Sequence, residues 1–294
     1  MAKIYVDLKR KANLSEYKCD GFIINSSEFS CYNGETFSLE EALELKELVK
    51  KENKIVILNI DMIISEDDLE ALLEYLDKTY KEFDYFIYSD MAIRYYFEEK
   101  NIVNKLIYNP QTLVASSSEL TRYYESGINV LLANELSYEE IEKICDMCGS
   151  YINLEVYGYH QMFYSKRKLI SLYDKFFSLN KDLHDKELFL KEELRNEFYP
   201  IYESNKGTFI YTDYIYCLFD ELLKIVDKVN FIKINGVFIE ENDYCKVVSL
   251  YNRLLNEREN VSILYEELKR INSNLSKGFL LNKSILLKVN ENEK

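Results

Sequence analysis

The sequence has no tryptophan, two prolines, eight glycines and two histidines among 294 residues. Missing motifs exclude more than missing residue types. No Gly-x-Gly-x-x-Gly turn is present, which removes the usual dinucleotide site, and no Gly-rich loop ending in Lys-Ser or Lys-Thr, which removes the P-loop. His-Glu-x-x-His, repeated Cys-x-x-Cys pairs and Gly-x-Ser-x-Gly are also absent, so the common zinc sites and the nucleophile elbow are excluded. No segment approaches the roughly 20 apolar residues of a membrane span. Met1-Ala2-Lys3-Ile4 enters a strand-like run at once and lacks the shape of a signal peptide, so the expectation is a cytoplasmic protein that touches no membrane. Acids outnumber bases 51 to 37, a net charge of −14. That balance argues against unspecific coating of nucleic acid but permits a local basic patch. The 26 tyrosines accompany frequent Asn, Lys and Ile, for which genomic base bias is a sufficient cause. Cys19, Cys31, Cys145, Cys148, Cys217 and Cys245 are scattered and expected as free thiols. The lone Cys145-Asp146-Met147-Cys148 reads as two small apolar residues on one helix face.

A strand-then-helix rhythm runs through most of the chain. Strands are predicted at Lys3–Leu8, Gly21–Asn25, Lys54–Ile60, Asp84–Ser89, Lys105–Asn109, Ile128–Asn134, Tyr151–Tyr157 and Asn230–Ile234. Capping-box spacing at Ser38-Leu39-Glu40-Glu41, Ser65-Glu66-Asp67-Asp68, Ser116-Ser117-Ser118-Glu119 and Ser137-Tyr138-Glu139-Glu140 opens four of the helices. A short helical piece is expected at Asn13–Lys18 and another helix at Met91–Lys100. Ile215, Leu218, Phe219, Leu222 and Val226 have helical spacing, as do Val247, Val248, Tyr251, Leu254 and Leu255. Between about 160 and 213 the rhythm breaks. There Lys181–Arg195, which includes His184, reads as charged and partly helical, and Glu197–Ile201 and Thr208–Thr212 as a hairpin around Ser204-Asn205-Lys206-Gly207. Eight strands with intervening helices predict an α/β fold, a TIM-like (β/α)8 barrel over residues 1–260. The break becomes a hairpin-containing insertion on the C-terminal rim after strand seven, and residues 261–294 form a helical, then irregular, extension.

The predicted strand ends supply Asn25, Asn59, Asp61, Ser89, Asp90, Asn109, Asn134, Glu135, Glu155 and Asn235. A polar ring at a barrel mouth suits a ligand, and the same residue types also serve turns and caps. Glu155 shares a strand face with Asn153 and Tyr157. A carboxylate there can act as a general base, bind a substrate amine or hydroxyl, or pair with a structural cation. His160, just past Gly158, suits acid–base work near neutral pH or a hydrogen-bonded packing role. Lys166-Arg167-Lys168 stands out in an acidic chain as an anion grip, a landing point for RNA phosphate or a solvated turn. Tyr157, Tyr159, Phe163 and Tyr164 interleave with these charges, where aromatics either stack a base or pack a core.

The run Gly158-Tyr159-His160-Gln161-Met162-Phe163-Tyr164-Ser165-Lys166-Arg167-Lys168-Leu169-Ile170-Ser171 resembles the signature of the collagenase-like peptidase family U32, with Gly158, Tyr164, Ser165 and Ser171 in register. Met162-Phe163, Ser165-Lys166-Arg167, Leu169, Tyr199-Pro200-Ile201-Tyr202-Glu203, Gly207-Thr208, Phe231-Ile232-Lys233-Ile234-Asn235-Gly236 and Lys277-Gly278-Phe279 are similar to one branch, implicated in hydroxylating the tRNA wobble uridine. The resemblance implies a TIM-like barrel, a part in forming 5-hydroxyuridine and a prephenate-derived cosubstrate. Relatives carry an iron–sulfur cluster on four cysteines. Here the two signature cysteines fall on Gln161 and Lys168, the early signature Glu falls on Asn153, and Phe209 stands where near relatives have His. These departures imply no cluster in this chain and a larger, homologous, cysteine-bearing partner, with tRNA as a further partner.

The expected site has Glu155 and His160 as catalytic groups, Tyr157, Lys166, Arg167, Lys168 and Asn235 as substrate contacts, and no metal ligands. The alternatives to tRNA hydroxylation are a collagenase-like peptidase and a non-catalytic subunit of a cluster-bearing homologue.

Overall fold

A computed structural model describes residues 2–111, 113–148, 152–179, 181, 183, 188–191, 193 and 197–281. Eight parallel strands form its centre: β1 (Lys3–Asp7), β2 (Gly21–Asn25), β3 (Ile55–Ile60), β4 (Tyr85–Tyr88), β5 (Leu106–Tyr108), β6 (Asn129–Leu131), β7 (Ile152–Gly158) and β13 (Val229–Ile234). Each pairs with the next, and β13 pairs with both β7 and β1, so the sheet closes on itself. This is the TIM-like barrel predicted from the alternating pattern. The connecting helices are α1 (Leu39–Lys51), α2 (Glu66–Thr79), α3 (Met91–Glu99), α4 (Ser117–Glu125) and α5 (Tyr138–Cys148). Their starts follow the predicted caps. Ser38 accepts from the Glu41 N–H while Glu41 takes the Ser38 N–H at 2.9 Å. Ser137 and Glu140 make the same reciprocal pair, and Ser116 caps α4 through the Glu119 N–H.

The barrel has two apolar faces because strand side chains alternate. The outward set, including Ile4, Val6, Phe22, Ile24, Val56 and Leu58, packs under the helices in the main core. The inward set, Tyr5, Ile23, Ile57, Ile87, Ile107, Leu131 and Phe231, forms a separate cluster inside the barrel. Tyr5 and Phe231 touch there with ring centroids 4.8 Å apart. Two residues further along β1, β2, β3 and β13, the same inward face turns polar at Asp7, Asn25, Asn59 and Lys233, all of them buried. The apolar plug therefore ends where the polar mouth begins.

The described part of the segment after β7 holds more strands than the sequence suggested. It builds a four-stranded antiparallel sheet in the order β8 (Gln161–Ser165), β11 (Gly207–Tyr211), β10 (Phe198–Ser204) and β9 (Leu188–Lys191), with α6 (Leu169–Phe176) against it. The predicted hairpin at Ser204–Gly207 is present, with Ser204 opposite Gly207. Gly207 has φ +135°, and a Cβ there would lie 2.0 Å from the Ser165 carbonyl oxygen, so only glycine lets β8 and β11 approach.

Three local expectations differ. The Ile215–Val226 stretch is not one helix: Ile215–Cys217 is a strand, β12, antiparallel to β7, and helix begins only at α7 (Leu222–Ile225), which a 3-10 turn at Val226–Lys228 follows. The free edge beside the end of β7 is filled by Tyr216 opposite Gly158, and this pairing overrides the helical spacing. Asn13–Lys18 forms turns. Within the charged run Leu188–Lys191 is strand β9, and His184 lies outside the described residues. At the C-terminal side, α8 (Glu241–Asn252) and α9 (Val261–Ile271) are followed by β14 (Leu275–Ser276), which adds in parallel to β12. Residues 282–294 lie outside the described residues. No helix among the described residues is long and apolar enough to cross a membrane.

Candidate functional site at the barrel mouth

Glu155 is the first functional side chain that the barrel positions. It faces inward on β7 opposite Lys233 on β13, and its Oε2 accepts from Lys233 Nζ at 2.8 Å. Asn235, just past the end of β13, donates from Nδ2 to Glu155 Oε1 at 3.1 Å. His160 Nε2 lies 3.5 Å from the same oxygen, yet its alignment leaves Nε2 with no hydrogen-bond partner among the described residues. The His160 backbone is fixed by Thr212, whose Oγ1 accepts the His160 N–H at 3.1 Å, and Tyr216 covers the ring at 4.4 Å between centroids. Gly158 makes this layout possible. Its φ is +128°, and a Cβ would lie 2.6 Å from that of Asn235.

Across the mouth, Asp7 accepts from the Gly236 N–H at 2.9 Å and from Asn25 Nδ2 at 3.2 Å. Asn59 donates to Asn25 Oδ1 at 2.8 Å and to Ser30 Oγ at 3.1 Å. Ser30 Oγ in turn donates to Asp61 Oδ1 at 3.0 Å. A continuous hydrogen-bonded chain thus runs from Asp7 at the end of β1 to Asp61 beyond β3. Lys206, in the β10–β11 turn, reaches over it and donates to the Ser30 carbonyl. Asn33 donates to the Tyr211 hydroxyl at 2.6 Å, which ties the β2–α1 loop to the rim sheet.

The electrostatics follow from placing two carboxylates beside one buried lysine. Burial pushes the Glu155 carboxyl up, but Lys233 and the hydrogen bonds from Lys233 and Asn235 outweigh it and hold the group below the usual range. Asp7 goes the other way: burial raises it, and Lys233 with the Gly236 N–H and Asn25 offsets this only in part. Lys233 stays firmly protonated, since Glu155 and Asp7 overcome the cost of its burial. Burial pushes the His160 imidazole down to about 4, a larger effect than the upward pull of Glu155. His160 is therefore neutral near pH 7. No hydroxyl or thiol among the described residues hydrogen-bonds its ring, so no nucleophile–base pair forms there. The Cys31 thiol is pushed up to about 12 by burial and by Asp61, which leaves it without thiolate character at neutral pH.

Beside this buried cluster a cavity of about 220 Å3 opens between β8 and the ends of β3, β4 and β5. Asp61, Ile63, Ser89, Pro110, Gln111 and Gln161–Tyr164 line it, together with Cys31. Gln111 has a left-handed backbone, φ +70°.

The structure brings together three of the expected site residues, Glu155, His160 and Asn235. Tyr157 is a correction. A register shift in the β7–β13 pairing places Glu155 opposite Lys233 but Tyr157 opposite the outward-facing Ile234. The extra residue of this bulge reverses the facing of the residues after it. Tyr157 therefore packs in the outer core against Tyr251, and its hydroxyl accepts from Asn272 at 2.7 Å; it does not line the mouth. Lys166, Arg167 and Lys168 are on the rim, outside the buried cluster. Lys166 is paired with Asp68 of α2 at 2.9 Å. Arg167 and Lys168 are exposed and make no side-chain pair among the described residues.

Sequence reasoning missed Asp7, Lys233 and Lys206. The signal for the first two was present: each is a charge at an inward position two residues after an aromatic, Tyr5 and Phe231. Glu203 was also missed as a structural anchor. It accepts the Ile170 N–H at 2.7 Å and the Ser171 hydroxyl, and so caps the start of α6. At the two positions where the resemblance places cluster cysteines, the donors are the Gln161 amide, in the cavity lining, and the Lys168 ammonium, just before α6. Neither is a thiolate, so this donor set does not fit an iron–sulfur cluster.

The sequence model for peptidase family U32 matches residues 8–287. Among characterised proteins, the chain is 24% identical over 282 residues to tRNA hydroxylation protein P2 of Bacillus subtilis (strain 168), covering 90% of this chain and 91% of that protein. Among solved structures it is similar to the U32 peptidase Mk0906, at 13% identity and a TM-score of 0.47, covering 80% of this chain and 92% of that one. It is also similar to thiamine phosphate pyrophosphorylase from Pyrococcus furiosus, at 11% identity and a TM-score of 0.44, covering 88% and 97%. With the family model spanning residues 8–287 and a closed parallel barrel beneath it, the chain belongs to peptidase family U32.

Proposed function

We propose that this protein takes part in hydroxylating the wobble uridine of tRNA, in the cytoplasm, together with a larger homologous protein that carries the cluster cysteines this chain lacks. The observation that carries the reading is the end-to-end similarity to a tRNA hydroxylation protein. The geometry agrees with it in two respects. The barrel mouth is a polar, water-poor site that holds Glu155, Lys233 and Asn235 in fixed contact. On the rim beside it, Arg167 and Lys168 supply exposed cations of the kind that meet RNA phosphate. Such a local patch is compatible with an acidic chain whose bulk repels nucleic acid.

In this reading Glu155 and His160 position a small polar cosubstrate, prephenate-derived, at the mouth. The neutral imidazole offers its unpartnered Nε2, and Lys233 and Asn235 offer N–H donors. The thiolates for redox chemistry come from the partner. The test is nucleoside mass spectrometry of tRNA from a deletion strain. Loss of 5-hydroxyuridine derivatives, restored by the wild-type gene, is the expected result. An unchanged profile in a strain with no second homologue refutes the proposal. Affinity purification of the tagged protein is expected to bring down a cysteine-bearing U32 homologue in a fixed ratio; recovery of the tagged chain alone removes the partner from the proposal.

A further inference from the structure

The cavity beside β8 has the dimensions and lining of a site for one flat polar ring. Its volume is about 220 Å3, below the roughly 300–1,000 Å3 of sites for drug-sized ligands. Ile63, Pro110 and Phe163 provide apolar surface, and Asp61, Gln111 and Gln161 provide polar groups. Asp61 is held in place from one side only. Its Oδ1 accepts from Ser30 Oγ at 3.0 Å and from the Cys31 N–H at 2.8 Å. Its Oδ2 has no hydrogen-bond partner among the described residues. Gln111 is kept at the cavity by a backbone that non-glycine residues seldom adopt, φ +70°, and such outliers cluster at ligand sites.

The polar set supplies both donors and acceptors. A carboxylate oxygen only accepts, while each glutamine amide can donate. A carboxylate acceptor together with amide donors can meet the edge of uracil, which presents O4, N3–H and O2. Cytosine has no N3–H to offer the carboxylate. Phe163 supplies an aromatic face, and stacking on such a face is how single-stranded RNA bases are held. Strand β8 then leads from the cavity to Lys166, Arg167 and Lys168, within five residues of Phe163. The cations thus stand where the phosphates flanking a bound nucleotide would pass.

We infer that this cavity is the receiving pocket for a single uracil base extruded from RNA, with Phe163 stacking on the ring, Asp61, Gln111 and Gln161 reading its edge, and Arg167 and Lys168 holding flanking phosphates. The inference rests on the tRNA reading above and adds to it the place where the base is bound. The hydrogen-bond chain from Asp61 through Ser30, Asn59 and Asn25 to Asp7 joins this pocket to the buried charges of the mouth.

The test uses the full chain and three fluorescent RNA pentanucleotides that differ only at the central position: uridine, cytidine or an abasic residue. The uridine probe is expected to bind at least about tenfold more tightly than the abasic one in fluorescence anisotropy, with cytidine between them. Phe163→Ala, at a half-exposed position, is expected to remove that difference. Asp61→Asn keeps an oxygen for Ser30 and Cys31 and is expected to narrow the preference for uridine over cytidine. Arg167→Ala with Lys168→Ala weakens all three probes alike and lowers the slope of log K against log salt by about 1.4. Equal binding of uridine and abasic probes, or displacement of the uridine probe by a gelatin peptide, overturns the inference. A second arm separates it from the broader proposal. If deletion removes 5-hydroxyuridine derivatives and Phe163→Ala restores them fully, the pocket assignment fails and the tRNA reading stands. If deletion changes nothing, the tRNA reading itself fails.

Discussion

Lys233 gives the sharpest energetic test of the barrel mouth. Its ammonium lies 2.8 Å from Glu155, and the two side chains are only 6% and 5% exposed. Replacing it by methionine keeps much of the volume and removes the charge. Glu155 is then left buried with Asn235 as a donor and Asp7 as a second carboxylate nearby. Breaking a buried pair from one side costs about 3–5 kcal/mol, chiefly because the remaining charge loses its partner. For a chain of this size each kcal/mol lowers Tm by roughly 2–4 °C, so Lys233→Met should melt about 6–20 °C below the wild type at pH 7. The loss should depend on pH with a definite sign. In the wild type the Glu155 carboxyl is held below its usual range, so its contribution is present above the ordinary carboxylate pKa and fades as pH falls through the lower folded value. Without Lys233, burial dominates and the carboxyl rises above the usual range; the variant then regains stability on acidification as Glu155 takes up a proton. The two melting curves should therefore converge between about pH 7 and about pH 4.5. Adding Glu155→Gln should recover part of the loss, because the amide carries no charge to strand. Circular dichroism melts of the wild type, both single variants and the double variant at the two pH values measure all of this. A deficit under about 1 kcal/mol, or one that does not change with pH, would refute the account of the mouth as a coupled buried cluster.

His160 should leave its own mark on acid stability. Its folded pKa, about 4, lies below the ordinary 6.5, so its neutral burial stabilises the fold above pH 6.5 and that contribution is lost as pH falls toward 4. The loss reaches about 3 kcal/mol; urea titrations should show His160→Gln to be flatter over this window, and equal slopes would count against the burial. Gly158→Ala should destabilise by at least about 2 kcal/mol, since φ +128° and a 2.6 Å approach to Asn235 leave no room for a methyl group; an unchanged thermal midpoint would contradict this geometry. Glu203→Gln should speed hydrogen exchange at the Ile170 and Ser171 amides by about tenfold, the loss of one charge-assisted cap, while the barrel strands stay protected.

The barrel was legible because its signals are local and repeated. Continuous apolar strands such as Ile55–Ile60 and capping boxes such as Ser38–Glu41 each announce one element, and eight repetitions leave few architectures. The pairing of Glu155, His160 and Asn235 was half legible, because all three lie near strand ends. Tyr157 was misread because period-two alternation predicts its face only if the strand is regular, and the bulge that reverses it is set by pairing with β13. Lys233 and Asp7 were missed although each lies two residues past an inward aromatic, and they became a site only when closure of the barrel brought β13 beside both β7 and β1. The rim sheet was the least legible part. Its edge strand β8 carries mixed residues, Gln161-Met162-Phe163-Tyr164-Ser165, and is fixed by the distant β11.

The rim sheet and the mouth stand or fall together. Asp7, Glu155 and Lys233 are each less than a tenth exposed, and charges in so little water need fixed partners. The roof over them is held by Asn33 on Tyr211, by Thr212 on His160, by Lys206 on the Ser30 carbonyl and by Lys166 on Asp68. Tyr211 is within electrostatic reach of both Asp61 and Glu155, so one side chain of the insertion senses the cavity and the buried cluster. Opening this roof would admit water and relax the opposed shifts of Asp7 and Glu155 toward ordinary values, since both depend on burial. The insertion is thus a working part of the electrostatics of the mouth. The consequence for the signature is specific: Lys166 secures the roof to α2, while Arg167 and Lys168, one and two residues on, stay exposed.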